Sequence, residues 1–227
     1  MDQPKSGSLT AEAYTQIRTE ILACRLAPAQ KLIISDLCNS FGFSLGAVRE
    51  ALSRLTSEGL VEAEPRKGFR VTPITEAELL DITNVRATIE SLCLESAIRN
   101  GDLKWETNIV STEFELSKVK LQDPDDPAKT NEAWAETHRR FHEALVASCA
   151  SAWLLRLRGI LFVQSERYRR MSLPLDRVGR DVNAEHKEIA EATIARDAKR
   201  ATQALRDHLQ KTTRILIKSD VVKGHAG

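Results

Sequence analysis

The sequence is poor in several features that mark common protein classes. It has four cysteines in 227 residues, scattered through apolar stretches and without a C-x-x-C pair, which excludes a disulfide framework and indicates reduced thiols. Its 33 basic residues nearly balance its 32 acidic residues, so no overall field attracts nucleic acid, a membrane or an acidic substrate. Any contact with nucleic acid must therefore be local.

Targeting, membrane and common catalytic signatures are also missing. The chain has no basic-then-apolar leader, and no uncharged apolar run approaches the roughly 20 residues that a membrane helix needs. It contains no Gly-rich phosphate loop, no G-x-S-x-G and no H-E-x-x-H, which are signatures of common enzyme classes. We therefore expect a soluble cytoplasmic protein with no membrane partner, long enough for two domains.

Residues 1–74 have the pattern of three short helices followed by a β-hairpin. After a first helix that ends before Pro28, Ser35 and Gly42 are placed to cap a second. Ser44 is placed to cap a third, which ends near Gly59. The segment LVEAEPRKGFRVTPI then changes to β-prone pieces around a Gly-containing turn. This outline predicts a winged helix-turn-helix domain.

Residues 75–220 change to long helices without convincing strands. Thr75 and Glu78 have capping-box spacing, while Gly101 is placed to end the helix that they begin. Asp197 is placed to cap the last helix. The predicted helices cover residues 75–101, 102–122, 128–149, 152–171, 177–195 and 198–218. The sequence thus predicts a mainly α protein, with an N-terminal winged helix-turn-helix and a C-terminal antiparallel all-α bundle.

Four of the five histidines interrupt apolar stripes of these helices. His138 and His142 lie one turn apart on one face, and His186 and His208 lie on the stripes of two later helices. Burying one imidazole without a partner costs about 1–3 kcal/mol. A shared metal ion would satisfy all four, because imidazoles from facing helices bind zinc, nickel, copper and iron. The alternative is that each is a core residue bonded to a neighbouring carbonyl or carboxylate.

Two sets of motifs resemble a known family. VREALSRLTSEGLV at 48–61, followed by PRKGFRV at 65–71, is similar to the winged helix-turn-helix signature of GntR-type bacterial transcription regulators. The helical remainder, with His138, FH at 141–142, EH at 185–186 and HL at 208–209, resembles the FCD ligand-binding domain of the FadR subfamily. The likeness runs from about residue 10 to residue 216, with a looser similarity to regulators of carboxylic-acid catabolism.

The resemblance implies a divalent metal, with zinc as the first expectation and nickel as the second. Many relatives have Asp where this chain has His138, so the ligand set of this chain has one negative charge fewer. Whether His138 itself binds the metal is left open by this difference. The implied ligands are His138, His142, His186 and His208.

The resemblance also implies how DNA is read. The start of the third helix would enter the major groove, with Arg49 as the candidate for a bidentate contact to guanine. Arg54 would meet the phosphate backbone, and the hairpin turn would reach phosphates or the minor groove. Leu45 stands where relatives usually have Arg, so the operator is expected to differ. The assigned residues are Ser44, Leu45, Gly46, Arg49, Arg54, Arg66, Lys67 and Gly68. The alternative for each charge is a solvated surface position.

Family members are dimers on two-fold sites, so we expect a homodimer on double-stranded DNA with a pseudo-palindromic operator. A small organic acid is the expected effector, and its binding would shift the bundle and release DNA, which describes a repressor. Arg86 is the first candidate for clamping its carboxylate, with Arg139, Arg167 and Tyr168 as further candidates. The segment MSLPLDRVGR at 171–180 is expected to gate or to line the cavity.

Three other functions compete with this interpretation. The histidines could hold the metal of an enzyme with an open coordination position, although the helices lack the Glu-x-x-His pairing of di-iron sites. The metal could itself be the signal of a metal-sensing repressor. An architectural DNA binder conflicts with the balanced charge, because binding without sequence preference depends on many phosphate contacts.

Overall fold

The structure is a computed structural model that describes residues 6–176, 179–219 and 222. The chain divides into two compact units. The first, here called the N-terminal unit, contains the residues up to Thr75 together with Val222, and the second, the helical unit, runs from Glu76 to Val221. As predicted from the sequence, the protein is mainly helical with an N-terminal winged helix-turn-helix.

The N-terminal unit begins with three helices, and the ends of two of them follow from single residues. Helix α3 begins after Ser44, whose hydroxyl accepts a hydrogen bond from the Ala47 N–H at 3.3 Å. Helix α2 ends at Gly42, which has a left-handed φ of 73°. Ser35 was expected to cap α2, but the cap position is Ile33, whose carbonyl accepts the first helical N–H groups. The bounds are α1 Ser6–Leu22, α2 Ile34–Phe41 and α3 Leu45–Ser57.

Two strands after α3 form the predicted hairpin, and a third strand joins them. Strands β2 (Val61–Glu64) and β3 (Gly68–Val71) pair antiparallel, and β1 (Lys31–Leu32) pairs with the other edge of β3. Strand β1 was not predicted, because two residues are too short to show a periodicity. Helix α1 packs on α3, and the two helices contribute these completely buried residues to the core of the unit: Ala13, Ile17, Ile21, Val48, Leu52 and Leu55.

The helical unit contains six α-helices among its described residues, most of them started by a side-chain cap. Asp197, as predicted, accepts a hydrogen bond from the Arg200 N–H at 3.0 Å. Helices α5 to α8 are capped in the same way by Asp102, Asn131, Ser151 and Asp181. The bounds are α4 Glu76–Asn100, α5 Leu103–Lys118, α6 Glu132–Val146, α7 Ala152–Ser172, α8 Val182–Ile194 and α9 Ala198–Lys218.

Gly101 follows α4 for a different reason from the one expected. Its φ is not in the left-handed region, so conformational freedom is not what the position requires. A Cβ atom there would lie 2.0 Å from Cε3 of Trp105. The Trp105 ring is buried and its Nε1–H donates to the Ala144 carbonyl at 2.9 Å. Glycine therefore lets the ring pack against the end of α4.

The helices of this unit pack pairwise around one core. Helix α4 contacts α7 and α9, α5 contacts α6, and α8 contacts α9. Trp105, Trp134 and Phe141 are among the large side chains buried in the core that α4, α5, α6, α8 and α9 share. In the described part of the chain, no helix is both long enough and apolar enough to cross a membrane.

Candidate metal centre and DNA interface

The start of α3 presents a contiguous exposed surface. Ser44, Leu45, Gly46 and Arg49 are all exposed, with Leu45 at 55%. Ala47 and Val48, between these exposed positions, are buried in the core of the N-terminal unit and so fix the orientation of α3. Within the described residues no side chain is bonded to Arg49, so its guanidinium points to solvent.

Arg54 has a different environment. Its guanidinium carbon lies 3.8 Å from the centroid of the Tyr14 ring, and its Nε lies 3.9 Å from Glu58 Oε1. Tyr14 in turn donates from its hydroxyl to Glu58 at 2.5 Å. The Arg54 side chain is nevertheless 61% exposed. The structure thus places Arg54 beside α1, where it joins a surface network rather than the exposed start of α3.

The tip of the β2–β3 hairpin carries Arg66, Lys67 and Gly68, all exposed. Arg66 and Gly68 have positive φ angles of 66° and 96°, and the Gly68 angle is one that most other residues adopt only with strain. Arg70 fixes the base of the hairpin, because it donates to Glu64 and to the Ala29 carbonyl, both at 2.9 Å. Arg66 and Lys67 are therefore exposed on a turn whose strands are fixed by the hydrogen bonds of Arg70.

The four predicted histidines meet inside the helical unit. Helix α6 contributes His138 and His142, α8 contributes His186, and α9 contributes His208. One ring nitrogen from each lies within 4.8 Å of the others, and all four residues are buried. The spacing on the sequence predicted this meeting, since each histidine lies on the core-facing side of its helix.

The ring nitrogens fit a metal better than they fit a hydrogen-bonded core. Both nitrogens of His138, His142 and His186 are buried without a hydrogen-bond partner. Six unpaired buried polar atoms at about 1–3 kcal/mol each would together cost about 6–18 kcal/mol, which is as large as the whole stability of a typical domain, at about 5–15 kcal/mol. A zinc ion bound by four imidazole nitrogens would use one nitrogen of each ring. The residues present therefore fit the implied group.

The electrostatic environment keeps these rings neutral. Burial, followed by the positive charges of neighbouring groups, lowers the pKa of His138, His142 and His186 well below the ordinary value of 6.5. Burial also lowers the pKa of His208, to about 4. Neutral imidazole is the form that binds a metal.

Two residues that sequence reasoning did not assign contact this cluster. Glu185 Oε2 lies 2.9 Å from His208 Nδ1. Arg180 donates to both carboxylate oxygens of Glu185 and, at 2.7 Å, to the His208 carbonyl. Burial raises the pKa of Glu185, but the hydrogen bonds from Arg180 and His208 hold it well below its ordinary value. The motif EH at 185–186 was the available signal, with only its histidine assigned.

Arg86 belongs to a buried ion cluster next to the histidines. Its Nε donates to Glu90 Oε1 at 3.2 Å, and Arg158 donates to the other Glu90 oxygen at 2.8 Å and to the His142 carbonyl at 2.8 Å. The described residues offer no hydrogen-bond partner to the two terminal nitrogens of Arg86. One edge of this guanidinium is therefore available to a ligand.

Two small cavities border His138 and His208. One has a volume of about 50 Å³ and is bordered by Trp134, Asp176 and Arg180 as well as the two histidines. The other has a volume of about 40 Å³ and is bordered by Arg86 and Tyr168. Arg169 lines both. From the segment at 171–180, Ser172, Leu173, Asp176 and Arg180 line the first cavity, whereas Arg177 and Val178 lie outside the described residues.

The other predicted effector residues have contrasting positions. Tyr168 is buried, and its burial together with the Glu78 carboxylate raises its pKa. Arg167 is completely buried and donates to Gln164 at 3.4 Å, but it is not among the residues that line the two cavities. Arg139 is 42% exposed and is paired with Glu136 and Glu143. The structure does not bring Arg139 to the histidines, because one position along a helix turns a side chain by about 100°.

Two family models divide the chain between them. Residues 9–71 match the family described as bacterial regulatory proteins, gntR family, and residues 81–211 match the FCD domain. The chain belongs to the GntR family, with an FCD domain. This GntR-family chain is 36% identical to the uncharacterized HTH-type transcriptional regulator BphR of Paraburkholderia xenovorans, over 92% of this chain and 85% of that protein. It is 34% identical to the HTH-type transcriptional repressor GlaR of Escherichia coli, over 87% of this chain and 91% of that protein.

Solved structures share the fold. The structure of McbR/YncC from E. coli superimposes with a TM-score of 0.72 at 21% identity, covering 93% of this chain and 98% of that one. A GntR regulator from Rhodococcus sp. RHA1 gives a TM-score of 0.71 at 20% identity. Because the matched families and relatives are transcription regulators, this protein is a DNA-binding regulator rather than an enzyme.

Proposed function

We propose that this GntR-family protein is a repressor that binds a two-fold operator as a homodimer and releases it when a small organic acid binds beside a metal ion in the helical unit. The observation that carries the proposal is the buried cluster of four histidines, bordered by cavities that contain arginine side chains. GlaR, a relative named a repressor, supports the direction of control.

The metal would be held by His138, His142, His186 and His208, with zinc as the expected ion. Four neutral imidazoles suit a borderline metal such as zinc or nickel. His138 lies in the same cluster as the other three, which supports its role as a ligand in place of the Asp of relatives. The bound ion would supply a positive charge to which a carboxylate group can bind.

The acid would bind between this centre and the arginines of the cavities. A guanidinium with an available edge matches the geometry of a carboxylate, and Arg86 presents such an edge beside His138 and His208. Tyr168 lines the same cavity and Arg169 lines both cavities. Arg139 is left out of this site because it is exposed and paired within its own helix.

The DNA contacts would come from the exposed start of α3 and the tip of the hairpin. Arg49 would bind a guanine, and Ser44, Leu45 and Gly46, at the exposed beginning of α3, would lie close to bases or phosphates. Arg66, Lys67 and Gly68 would contact phosphates or the minor groove. Arg54, held over Tyr14, would make at most a backbone contact.

A fluorescence-anisotropy titration tests the proposal. Zinc-loaded and metal-free protein are each titrated against a labelled duplex from the region upstream of the gene and against a scrambled duplex, with and without a panel of dicarboxylic and aromatic acids. Specific binding that one acid weakens only in the zinc-loaded protein supports the proposal. Binding that follows the metal with no acid required would instead identify a metal-sensing repressor.

Two variants locate the acid. Arg86→Ala should abolish the response to the acid, whereas Arg139→Ala, the same substitution at an exposed position, should leave it unchanged. An undiminished response of the Arg86 variant contradicts the assignment of Arg86. If neither the upstream duplex nor any sequence enriched from a random pool binds better than the scrambled control, the regulator reads DNA in some other way and the proposed contacts are wrong.

A further inference from the structure

The four histidines differ in how they are held. His138, His142 and His186 have no hydrogen-bond partner on either ring nitrogen. The His208 ring, in contrast, is bonded through Nδ1 to Glu185 at 2.9 Å, and both side chains are mostly buried. Among the described residues, His208 is thus the one cluster histidine whose ring is held by a hydrogen bond.

The hydrogen bonds around His208 determine which ring nitrogen carries the proton. Arg180 Nη2 also lies 3.1 Å from Nδ1, so two neighbours compete for this atom. A carboxylate can only accept, whereas Arg180 has the His208 carbonyl as an acceptor at 2.7 Å. The arrangement that satisfies every group has Nδ1–H donating to Glu185 and leaves the lone pair on Nε2.

Glu185 is itself fixed on both sides. Arg180 Nε donates to Oε1 at 2.7 Å and its Nη2 donates to Oε2, so the pair is bidentate. Arg180 Nη1 also donates to Thr212 at 2.9 Å, which ties this contact to α9. On the solvent side, Lys211 Nζ lies 3.0 Å from Oε1. The carboxylate therefore has little freedom to leave the His208 ring.

We propose that Glu185 is a positioning residue for the metal centre, which orients His208 so that Nε2 is presented to the ion, and that Arg180 holds Glu185 in place. This inference rests on the proposed metal site. A metal-ligating histidine commonly donates its second N–H to a carboxylate, and removing such a partner typically costs about 10–100-fold in metal affinity. His208 would be the preorganised ligand, and the other three rings would adjust around it.

A double-mutant cycle on zinc affinity tests the inference. Zinc affinity is measured by competition with a chromophoric chelator for the wild type, Glu185→Gln, His208→Ala and the double variant. If Glu185 acts through His208, Glu185→Gln weakens zinc binding by about 10–100-fold in the wild-type background and has almost no further effect once His208 is alanine. An equal loss in both backgrounds, or no loss in either, overturns the inference.

Two further variants separate positioning from general destabilisation. The first variant is Glu188→Gln, at a residue one turn after Glu185 on α8, and it breaks an exposed ion pair with Arg200. The second is Lys211→Met, which removes another partner of Glu185 and leaves the contact between Glu185 and His208 in place. Both should keep wild-type zinc affinity. If instead the wild type binds no zinc, the proposed metal site fails as well. If the wild type and the Glu185 variant bind zinc equally, only the inference about Glu185 fails.

Discussion

The N-terminal unit and the helical unit place their functional side chains in opposite ways. Arg49, Arg66 and Lys67 are exposed at the start of a helix and the tip of a hairpin. The histidines of the helical unit are buried with most of their nitrogens unpaired. A hydrated arginine carries no penalty until DNA arrives, whereas each unpaired buried imidazole costs about 1–3 kcal/mol at all times. On the proposed function, the N-terminal unit needs no bound group before DNA arrives, whereas the helical unit would be stabilised by a bound metal ion.

The largest effect should come from removing one histidine of the buried cluster. His186→Ala should weaken zinc binding by more than about 100-fold, which exceeds the loss expected for an outer partner of a ligand. Zinc content after dialysis against a limiting chelator measures the change. His225→Ala, at the fifth histidine of the sequence, for which we predict no role at the metal site, should leave the content unchanged. Full zinc occupancy of the His186 variant would mean that the buried histidines do not hold the metal, and the contrast drawn between the two units would fail.

Dense packing in the helical unit should make Gly101 intolerant of a side chain. Gly101→Ala places a Cβ atom 2.0 Å from the Trp105 ring, so we expect a loss of about 1–3 kcal/mol in the free energy of unfolding. Gly159→Ala is the matched control, because a Cβ atom there meets nothing within 4 Å and should stabilise α7 by up to about 1 kcal/mol. Urea unfolding compares the two, and similar values for both variants would show that the Trp105 ring moves freely.

On the exposed side of the comparison, Arg49→Ala should reduce the affinity for the operator by about 1–3 kcal/mol, or about 5–140-fold. It should leave thermal stability and zinc content unchanged, since Arg49 is solvated in the free protein. Arg54→Ala should have a smaller effect on DNA binding, because Arg54 packs on Tyr14. Anisotropy titrations at several salt concentrations distinguish a base contact from a phosphate contact, and a larger effect at Arg54 would reverse the assignment.

The smallest effect is expected at Ser44, the residue that caps α3. Ser44→Ala removes the hydrogen bond to the Ala47 N–H and should cost about 1 kcal/mol of stability. Ser35→Ala, a serine inside the first turn of α2 that caps nothing, should change stability by less than about 0.5 kcal/mol. Equal losses for the two serines would mean that the Ser44 hydrogen bond contributes nothing to stability.

The sequence was most informative where a local rule decides the structure, although Ser35, a predicted cap of α2, lies inside that helix and Ile33 takes the cap position. Ser44, Gly42 and Asp197 are end signals whose chemistry acts over a few residues, and each marks a helix end in the structure. The histidine cluster was predicted because several imidazoles on core-facing helix stripes each need a polar partner, and one metal ion could serve all of them. Strand β1 escaped notice because its pairing depends on β3, which is distant in sequence.

Part of the site depends on contacts that no single segment shows. Arg139, which was one of the weaker candidates for effector binding, is exposed and paired with Glu136 and Glu143, because adjacent residues of a helix point in different directions. Glu185 was not assigned, and Arg180 was included only in a segment expected at the cavity, because the contacts of both residues with His208 of α9 are not apparent from spacing along the sequence. Gly101 was placed correctly at the end of α4 but for the wrong reason, since the Trp105 ring and not the backbone excludes a side chain. Contacts of this kind join distant segments, so the sequence of one segment does not predict them.

The helices that supply the histidines have a consequence for how the chain is tied together. The cluster joins α6 to α8 and α9, so an ion bound there would close long loops, as a disulfide does in secreted proteins. The chain has no disulfide among its described residues, and a cross-link made of imidazoles is insensitive to thiol reductants. Such a cross-link forms and breaks with the supply of free metal, so the folding equilibrium of the helical unit would follow the metal concentration of the cell.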